Sequence, residues 1–323
     1  MGQKSLRRDS PNLVLKEFAL KYGLYIGFVA ILLVFSVISP NFLTVKNLLN
    51  LLNSYAYYVI ASIGMMFVIL IGGVDLSNSG MVAAAGVIGA MVMAQTKNTA
   101  LGIVVIMAIC IVGGLINGIA ITWLNMPPFV TTLAFQYFYR GIAFTLTMAG
   151  TVKGLPKKFT SFYYGETLGI RNGIVLLIIV FLVALYLLNF TVYGKRLYAT
   201  GDNANAAKVM GINVNWVKTL AYVLCGTCTG LATILLVSFM GSARAAVVQN
   251  LQLECIAAVI IGGASATGGE GKIFGTLVGA FMFAMIKNGL NLLGFSYYYQ
   301  IIATGIIIYI AAVIDRKRIK AGL

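Results

Sequence analysis

The side chains that most often do chemistry are scarce in this chain. Histidine is absent from all 323 residues, which removes the commonest general base and the commonest metal ligand. Cys225 and Cys228 stand as C-x-x-C, but no second pair completes a metal set and no soluble redox fold surrounds them. With Cys110 and Cys255 they read as small core residues in apolar surroundings. TGGEGKI at 267–273 has the outline of a phosphate loop, which needs Gly, four residues, Gly-Lys and then Ser or Thr. Here Ile273 follows Gly271-Lys272, and Ala266 stands where the first glycine belongs. The chain binds no ATP by that route; if ATP powers it, another chain hydrolyses the nucleotide.

The informative charges are those inside apolar runs, where they are costly. Asp75, in IGGVDLSNSG at 71–80, is either a substrate or gating contact or a carboxylate capping the Ser77–Ser79 turn. Arg140, in FYRGIAF, faces a polar pathway, snorkels outward, or holds a buried structural partner, the last being favoured. Lys287 beside Asn288 and Asn291 makes a polar helix face, and Glu254 and Glu270 border a second glycine-rich stretch, IGGASATGGEG at 261–271. Asn117 and Phe129 join Asp75, Ser77, Arg140, Asn288 and Asn291 as pathway or gating candidates. Only eight acidic residues exist, most at the ends of apolar runs, which counts against proton coupling through paired acids.

The elements that must position these groups are membrane spans. The chain is 60% hydrophobic and 10% charged, with a mean hydropathy of +0.95, whereas soluble domains carry roughly 25% charged residues. No polar stretch is long enough for a soluble domain. The net charge of +15 sits at the ends of apolar runs, a pattern of orientation and anionic-lipid contact and not of nucleic-acid binding.

Apolar runs of ~20 residues, the length that crosses a bilayer, lie near 22–38, 54–72, 79–95, 100–123, 129–149, 172–190, 217–240, 253–265, 273–293 and 297–314. The expectation is an all-α polytopic membrane protein of about ten spans: a cytosolic tail 1–21, one transmembrane domain 22–315, and a basic cytosolic tail 316–323. SVISPNF after the first run offers no small-x-small cleavage site, so that run is read as a retained span. Both termini are then cytoplasmic, with the loop 191–216 on the same side. The basic loop 152–171 falls on the opposite side against the charge rule, which is a bias summed over loops. NMPPF at 125–129 is a tight turn or a kinked re-entrant entry, the turn being favoured.

The stretches 71–80 and 261–271 share an apolar lead-in, a Gly pair, small polar residues and a following Gly/Ala-rich helix. They align at an offset of 190 (261 less 71), with Gly89 opposite Gly279. This reads as an internal repeat with broken elements near a pathway, the two copies parallel. Within 191–216, Asp202 is expected to N-cap a short helix over 203–210 that Gly211 ends. Ala206, Ala207 and Met210 are expected on one side of it. It is either an ordinary cytosolic turn or a lever that docks into something.

Taken together, IGGVDLSNSG, MPPFVTTLA with Arg140-Gly141 after it, YGKRLYATGDNANAAKVMGI at 193–212, AAVIIGGASATGGEGKIFGTLVGA at 257–280 and NGLNLLGFSYYYQ at 288–300 resemble the ribose-type permeases, the membrane subunits of bacterial carbohydrate ATP-binding-cassette importers. The resemblance runs in order through nearly the whole chain. It implies a permease pair, homo- or heterodimeric, beneath an extracytoplasmic sugar-binding protein and above a cytosolic ATPase that holds ATP and Mg²⁺. The chain itself would carry no cofactor. By the same resemblance 201–212 is the coupling helix, with Asp202, Asn203, Ala206, Ala207, Met210 and Gly211 the docking positions. Asn205 stands where relatives often place Glu, and DLSNSG and GEGK depart from common family strings, which leaves the cargo open. The expected function is passage of a monosaccharide, most simply a pentose, across the bacterial inner membrane. The alternatives are an autoinducer-2 or furanose permease of the same family, an ion-coupled sugar carrier, or a membrane scaffold.

Overall fold

The computed structural model describes residues 11–321, with side chains for 23–296, 298–310 and 313. Residues 1–10 of the tail 1–21 therefore lie outside the described residues, as do the last two residues of 316–323. The helices are α1 (Pro11–Ile38), α2 (Val45–Ser54), α3 (Ala56–Leu70), α4 (Asn78–Thr96), α5 (Thr99–Thr122), α6 (Pro128–Thr147), α7 (Lys157–Tyr164), α8 (Asn172–Phe190), α9 (Val192–Asp202), α10 (Ala204–Val209), α11 (Val214–Met240), α12 (Leu251–Ile261), α13 (Ile273–Leu292) and α14 (Tyr297–Ala321). Four two-residue strands join them: β1 (Thr151–Val152), β2 (Glu166–Thr167), β3 (Ile170–Arg171) and β4 (Ala243–Arg244). Strand β1 pairs antiparallel with β4, and β2 with β3.

Among the described residues five helices, α4, α5, α8, α11 and α13, are long and apolar enough to cross a membrane, and α2 with α3, bent by 50° at the break between them, passes the same test as a pair. The chain is thus a polytopic helical membrane protein. The run expected at 54–72 starts earlier, at Val45, and is broken at Tyr55. The run expected at 253–265 is the 11-residue α12, about 16 Å long at 1.5 Å per residue and half the thickness of a hydrocarbon core. It stops at Gly262 because α12 and α13 meet backbone to backbone there: a Cβ on Gly262 would lie 2.5 Å from the carbonyl carbon of Gly275. NMPPF is the tight turn. Asn125 takes φ +53, Pro127 caps α6 and Pro128 opens it, where a missing N–H costs nothing.

Helix α11 is the hub, packing on α3, α4, α5, α7 and α9. Its seam with α5 is built from two G-x-x-x-G motifs that face each other, Gly114/Gly118 and Gly226/Gly230. A Cβ on Gly118 would lie 2.9 Å from the Thr219 Cα, and one on Gly226 3.2 Å from the Cys110 carbonyl carbon. Only residues without side chains let two backbones approach so closely in a membrane. Across the same seam Thr122 and Thr219 share a 2.8 Å hydroxyl hydrogen bond.

The bundle has two distinct ends. At one, the β1–β4 ladder, α7 and the β2–β3 hairpin form a cap, held by Tyr164 Oη donating to the Phe239 carbonyl (3.2 Å) and Arg171 donating to Asn50 Oδ1 (2.7 Å). At the other lie the two glycine-rich breaks, 71–77 and 262–272, together with α9 and α10. The two breaks sit at the same end. Their surroundings differ, however: Gly89 of α4 abuts the following helix α5, whereas Gly279 of α13 abuts the preceding helix α12.

Candidate functional site

The junction of α9 with the two breaks is the tightest point of contact at its end of the bundle. The Gly269 N–H donates to the Leu70 carbonyl at 2.9 Å, so the second break closes the end of α3. A Cβ on Gly72 would lie 2.8 Å from Thr267 O, and one on Gly269 2.7 Å from the Asp202 Cα. Tyr198 of α9 donates to the Gly271 carbonyl at 2.9 Å. Burial pushes the Tyr198 phenol above its ordinary value, which keeps it a protonated donor. Three stretches far apart in sequence, around 70, 200 and 268, are thereby locked backbone to backbone.

Beyond Asp202 the chain turns into α10. The N-cap is Asn203, whose Oδ1 accepts from the Ala206 N–H at 3.0 Å; Asp202 is the last residue of α9 and caps nothing, which corrects the expectation. The misassignment arose because α9 was not foreseen, although Thr191, accepting from the Gly194 N–H at 3.2 Å, marks its start. Gly211 takes φ +81. The Ile212 N–H reaches the Ala207 carbonyl and the Gly211 N–H that of Lys208, both at 3.0 Å, a Schellman ending. The expected common face is also corrected. Ala207 is fully buried against the bundle, while Ala206 is exposed and Val209 and Met210 are 89% and 69% exposed. The outward apolar surface of α10 is therefore Ala206, Val209 and Met210.

The inner part of the first break forms a buried polar knot with α5. Asp75 Oδ1 accepts from the Ser77 N–H (2.9 Å), the Ser77 hydroxyl (2.6 Å) and Asn117 Nδ2 (3.4 Å), and Asn117 also donates to the Ser77 hydroxyl oxygen (2.8 Å). Asp75, Ser77 and Asn117 are all fully buried. The Asx-type turn closed by Asp75 lets the chain re-enter a helix at Asn78, so the capping reading describes the geometry. Arg140 is a structural partner, half-buried rather than fully buried: its guanidinium donates to the carbonyls of Ser79 (2.9 Å), Ala245 (2.8 Å) and Val247 (3.2 Å). It ties the start of α4 to the segment after β4. Phe129 is 59% exposed on the outside of α6, and it lines none of the cavities described.

The capped end opens into a cavity of about 770 Å³ whose polar wall includes Tyr57, Arg244, Glu254, Lys287, Asn288 and Asn291. That volume lies within the roughly 300–1,000 Å³ of small-molecule sites. Lys287 and Glu254 form a 2.7 Å ion pair, the one salt bridge among the described residues. The Tyr58 hydroxyl donates to the Glu254 carbonyl at 3.0 Å and its ring lies 5.9 Å from Lys287 Nζ. Asn288 exchanges two hydrogen bonds with Asn47, at 2.9 and 3.2 Å. The structure thus brings Asn288 and Asn291 together at the cavity and leaves Asp75, Ser77 and Asn117 in the knot. Arg244 carries no mark in the sequence, and Glu254 and Lys287, noted there as charges in apolar runs, are not among the pathway candidates or paired with each other. An acid and a base on separate apolar runs, at 254 and 287, were the available signal.

Residues 47–312 match a family described as the branched-chain amino acid transport system permease component. The chain belongs to that permease family. Among its relatives, the ribose import permease of Bacillus subtilis is 38% identical over 98% of this permease and 99% of the relative. The ribose import permease of Escherichia coli K12 is 34% identical over 94% and 96%. The L-arabinose ABC transporter permease of Azospirillum brasilense is 33% identical over 92% and 87%. No solved structure matched. With its relatives, the permease is a multi-pass membrane transport subunit and not an enzyme.

Proposed function

We propose that this permease passes a monosaccharide, a ribose-like pentose or a close relative, through the inner membrane as the membrane subunit of an ATP-binding-cassette importer. The observation that carries the sugar reading is end-to-end similarity to ribose and arabinose permeases, covering more than nine-tenths of this chain in each case. In this reading the chain crosses ten times: the five long helices, the bent α2–α3 pair, α1, α6, the half-length α12 and α14. Both termini and the loop 191–216 face the cytosol, and α10 is the coupling helix.

The ATPase, a separate subunit holding ATP and Mg²⁺, grips the face made by Ala206, Val209 and Met210, with Asp202, Asn203 and Gly211 shaping its two ends. Force on α10 passes through the α9 junction to both glycine breaks and so to α3, α4, α12 and α13. The polar cavity receives sugar released by an extracytoplasmic binding protein. Its polar side chains are already engaged with one another, as Lys287–Glu254 and Asn288–Asn47 illustrate, which keeps it weakly binding and able to let go. The exposed α6 face around Phe129, Val130, Tyr137 and Phe138 is where the second permease of the pair packs.

Proteoliposomes holding permease, ATPase and binding protein test this with labelled ribose, arabinose and allose. Uptake that requires ATP and the binding protein, and that ignores ionophores, is the expected result. Uptake that survives without the ATPase and collapses with the ion gradient would instead establish a secondary carrier.

A further inference from the structure

A second cavity, of about 290 Å³, lies at the α9–α10 end between α5, α9 and α11. It shares no lining residue with the polar cavity at the capped end. Leu115, Leu220 and Val223 give it hydrocarbon walls, and Arg196, Asn213 and Trp216 also line it. Asn213 Oδ1 is engaged as the N-cap of α11, accepting from the Trp216 N–H at 3.2 Å, which leaves its amide as a donor. Arg196 is exposed and makes no salt bridge among the described residues, and no acidic residue lines the cavity.

Two further observations say what such a groove holds. The chain has two tryptophans, Trp123 and Trp216, and they meet edge to face at 5.9 Å here, 46% and 58% exposed. Exposed tryptophans of a membrane protein sit at the headgroup level. The surrounding segment 191–218 carries Lys195, Arg196, Lys208 and Lys218 against the single acid Asp202, a charge complementary to an anionic surface.

We propose that this groove is a binding site for one anionic phospholipid. Its phosphate is held by the Arg196 guanidinium fork and the Asn213 amide, and an acyl chain lies along Leu115, Leu220 and Val223 against the Trp216 ring. A planar guanidinium matches a phosphate through two parallel hydrogen bonds, and a basic pocket between spans at a membrane surface suits an anionic headgroup. The lipid would wedge α9 against α11, where Tyr193 already donates to the Val217 carbonyl at 3.3 Å. The inference needs only a membrane-embedded chain and stands without the sugar reading.

The test uses full-length protein carrying Trp123→Phe, so that Trp216 is the sole indole. It is reconstituted in vesicles of equal parts phosphatidylethanolamine and phosphatidylglycerol, with bromine on the chains of one lipid at a time. Brominated phosphatidylglycerol should reach Trp216 about fivefold more often than brominated phosphatidylethanolamine, the ratio that ~1 kcal/mol per surface cation gives. Arg196→Gln should abolish the preference, Lys208→Gln should keep it, and added inorganic phosphate should not compete. Equal quenching by both lipids, a preference that survives Arg196→Gln, or equal loss in both variants would each overturn the site. Native mass spectrometry of wild-type and Arg196→Gln protein, with both tryptophans present, provides the second readout: retained phosphatidylglycerol adducts on the first only. Equal adducts on both would overturn it as well.

Discussion

Replacing Gly201 with alanine tests the junction most directly. Gly201 lies inside α9, with a backbone any residue adopts, so alanine there should stabilise the helix by about 0.5–1 kcal/mol if propensity alone mattered. The added Cβ, however, would sit 2.5 Å from the Gly269 nitrogen and closer still to the Leu70 carbonyl oxygen. Both are backbone atoms of the two breaks, with no rotamer through which to yield. Ordinary contact requires about 3.5 Å, so one side must move by at least about an ångström, and the Leu70 carbonyl by more. Overpacking of this kind costs about 1–3 kcal/mol, and loss of the Gly269–Leu70 hydrogen bond adds about 1 kcal/mol. The net destabilisation is ~2 kcal/mol, an approximately thirtyfold change in the population of the closed junction. The expected outcome is a lower unfolding midpoint in detergent, and ATP hydrolysis that continues while uptake falls in proteoliposomes. Gly141→Ala, where a Cβ meets nothing within 4 Å, is the control and should not destabilise. If Gly201→Ala raises the midpoint and leaves uptake intact, the junction transmits nothing.

Met210→Asp should leave thermal stability unchanged and abolish co-purification with the ATPase. Ala207→Glu, which forces a charge into a fully buried position, should lower the midpoint whether or not the partner is present. Glu254→Gln leaves Lys287 without its counter-ion and should cost about 1–3 kcal/mol, since the pair is only partly buried; the swapped pair Glu254→Lys with Lys287→Glu should recover part of that in a double-mutant cycle. Asp75→Asn preserves the Oδ1 acceptor and should retain the fold in a melting assay, whereas Asp75→Ala strips Ser77 and Asn117 of their partner and should melt lower by roughly 1–3 kcal/mol. A cysteine at position 210 should react with a membrane-impermeant maleimide only after cells are permeabilised; the four native cysteines are buried and give little background.

The helical membrane class was legible because hydropathy is a property of long runs, and a run of 20 apolar residues has few other uses. The NMPPF turn was legible because proline fixes its own backbone. Bends were not: nothing in the sequence around Tyr55 announces a 50° break, since tertiary packing of α2 and α3 sets it. The α10 ending could be read from Gly211, but its start could not, because Asp202 and Asn203 are equally good caps and only the preceding α9 decides between them. The burial of Ala207 likewise depends on a neighbour that spacing cannot identify. Glu254 and Lys287 went unpaired in the sequence because they meet across α12 and α13, a long-range contact with no local signature. The facing G-x-x-x-G motifs at 114–118 and 226–230 are visible in the letters, but in a chain with 36 glycines the spacing alone does not single them out.

That seam has a mechanical corollary. Where helices meet through interlocking side chains, small slippage is absorbed by rotamer changes; where bare backbone abuts bare backbone, no such cushion exists. Helices α5 and α11 must therefore travel as one stiff plank. Any tug on the loop leading into Val214 would carry the Asn117 end of the polar knot along with it, so the interior knot and the α9–α10 loop are two points on one rigid unit.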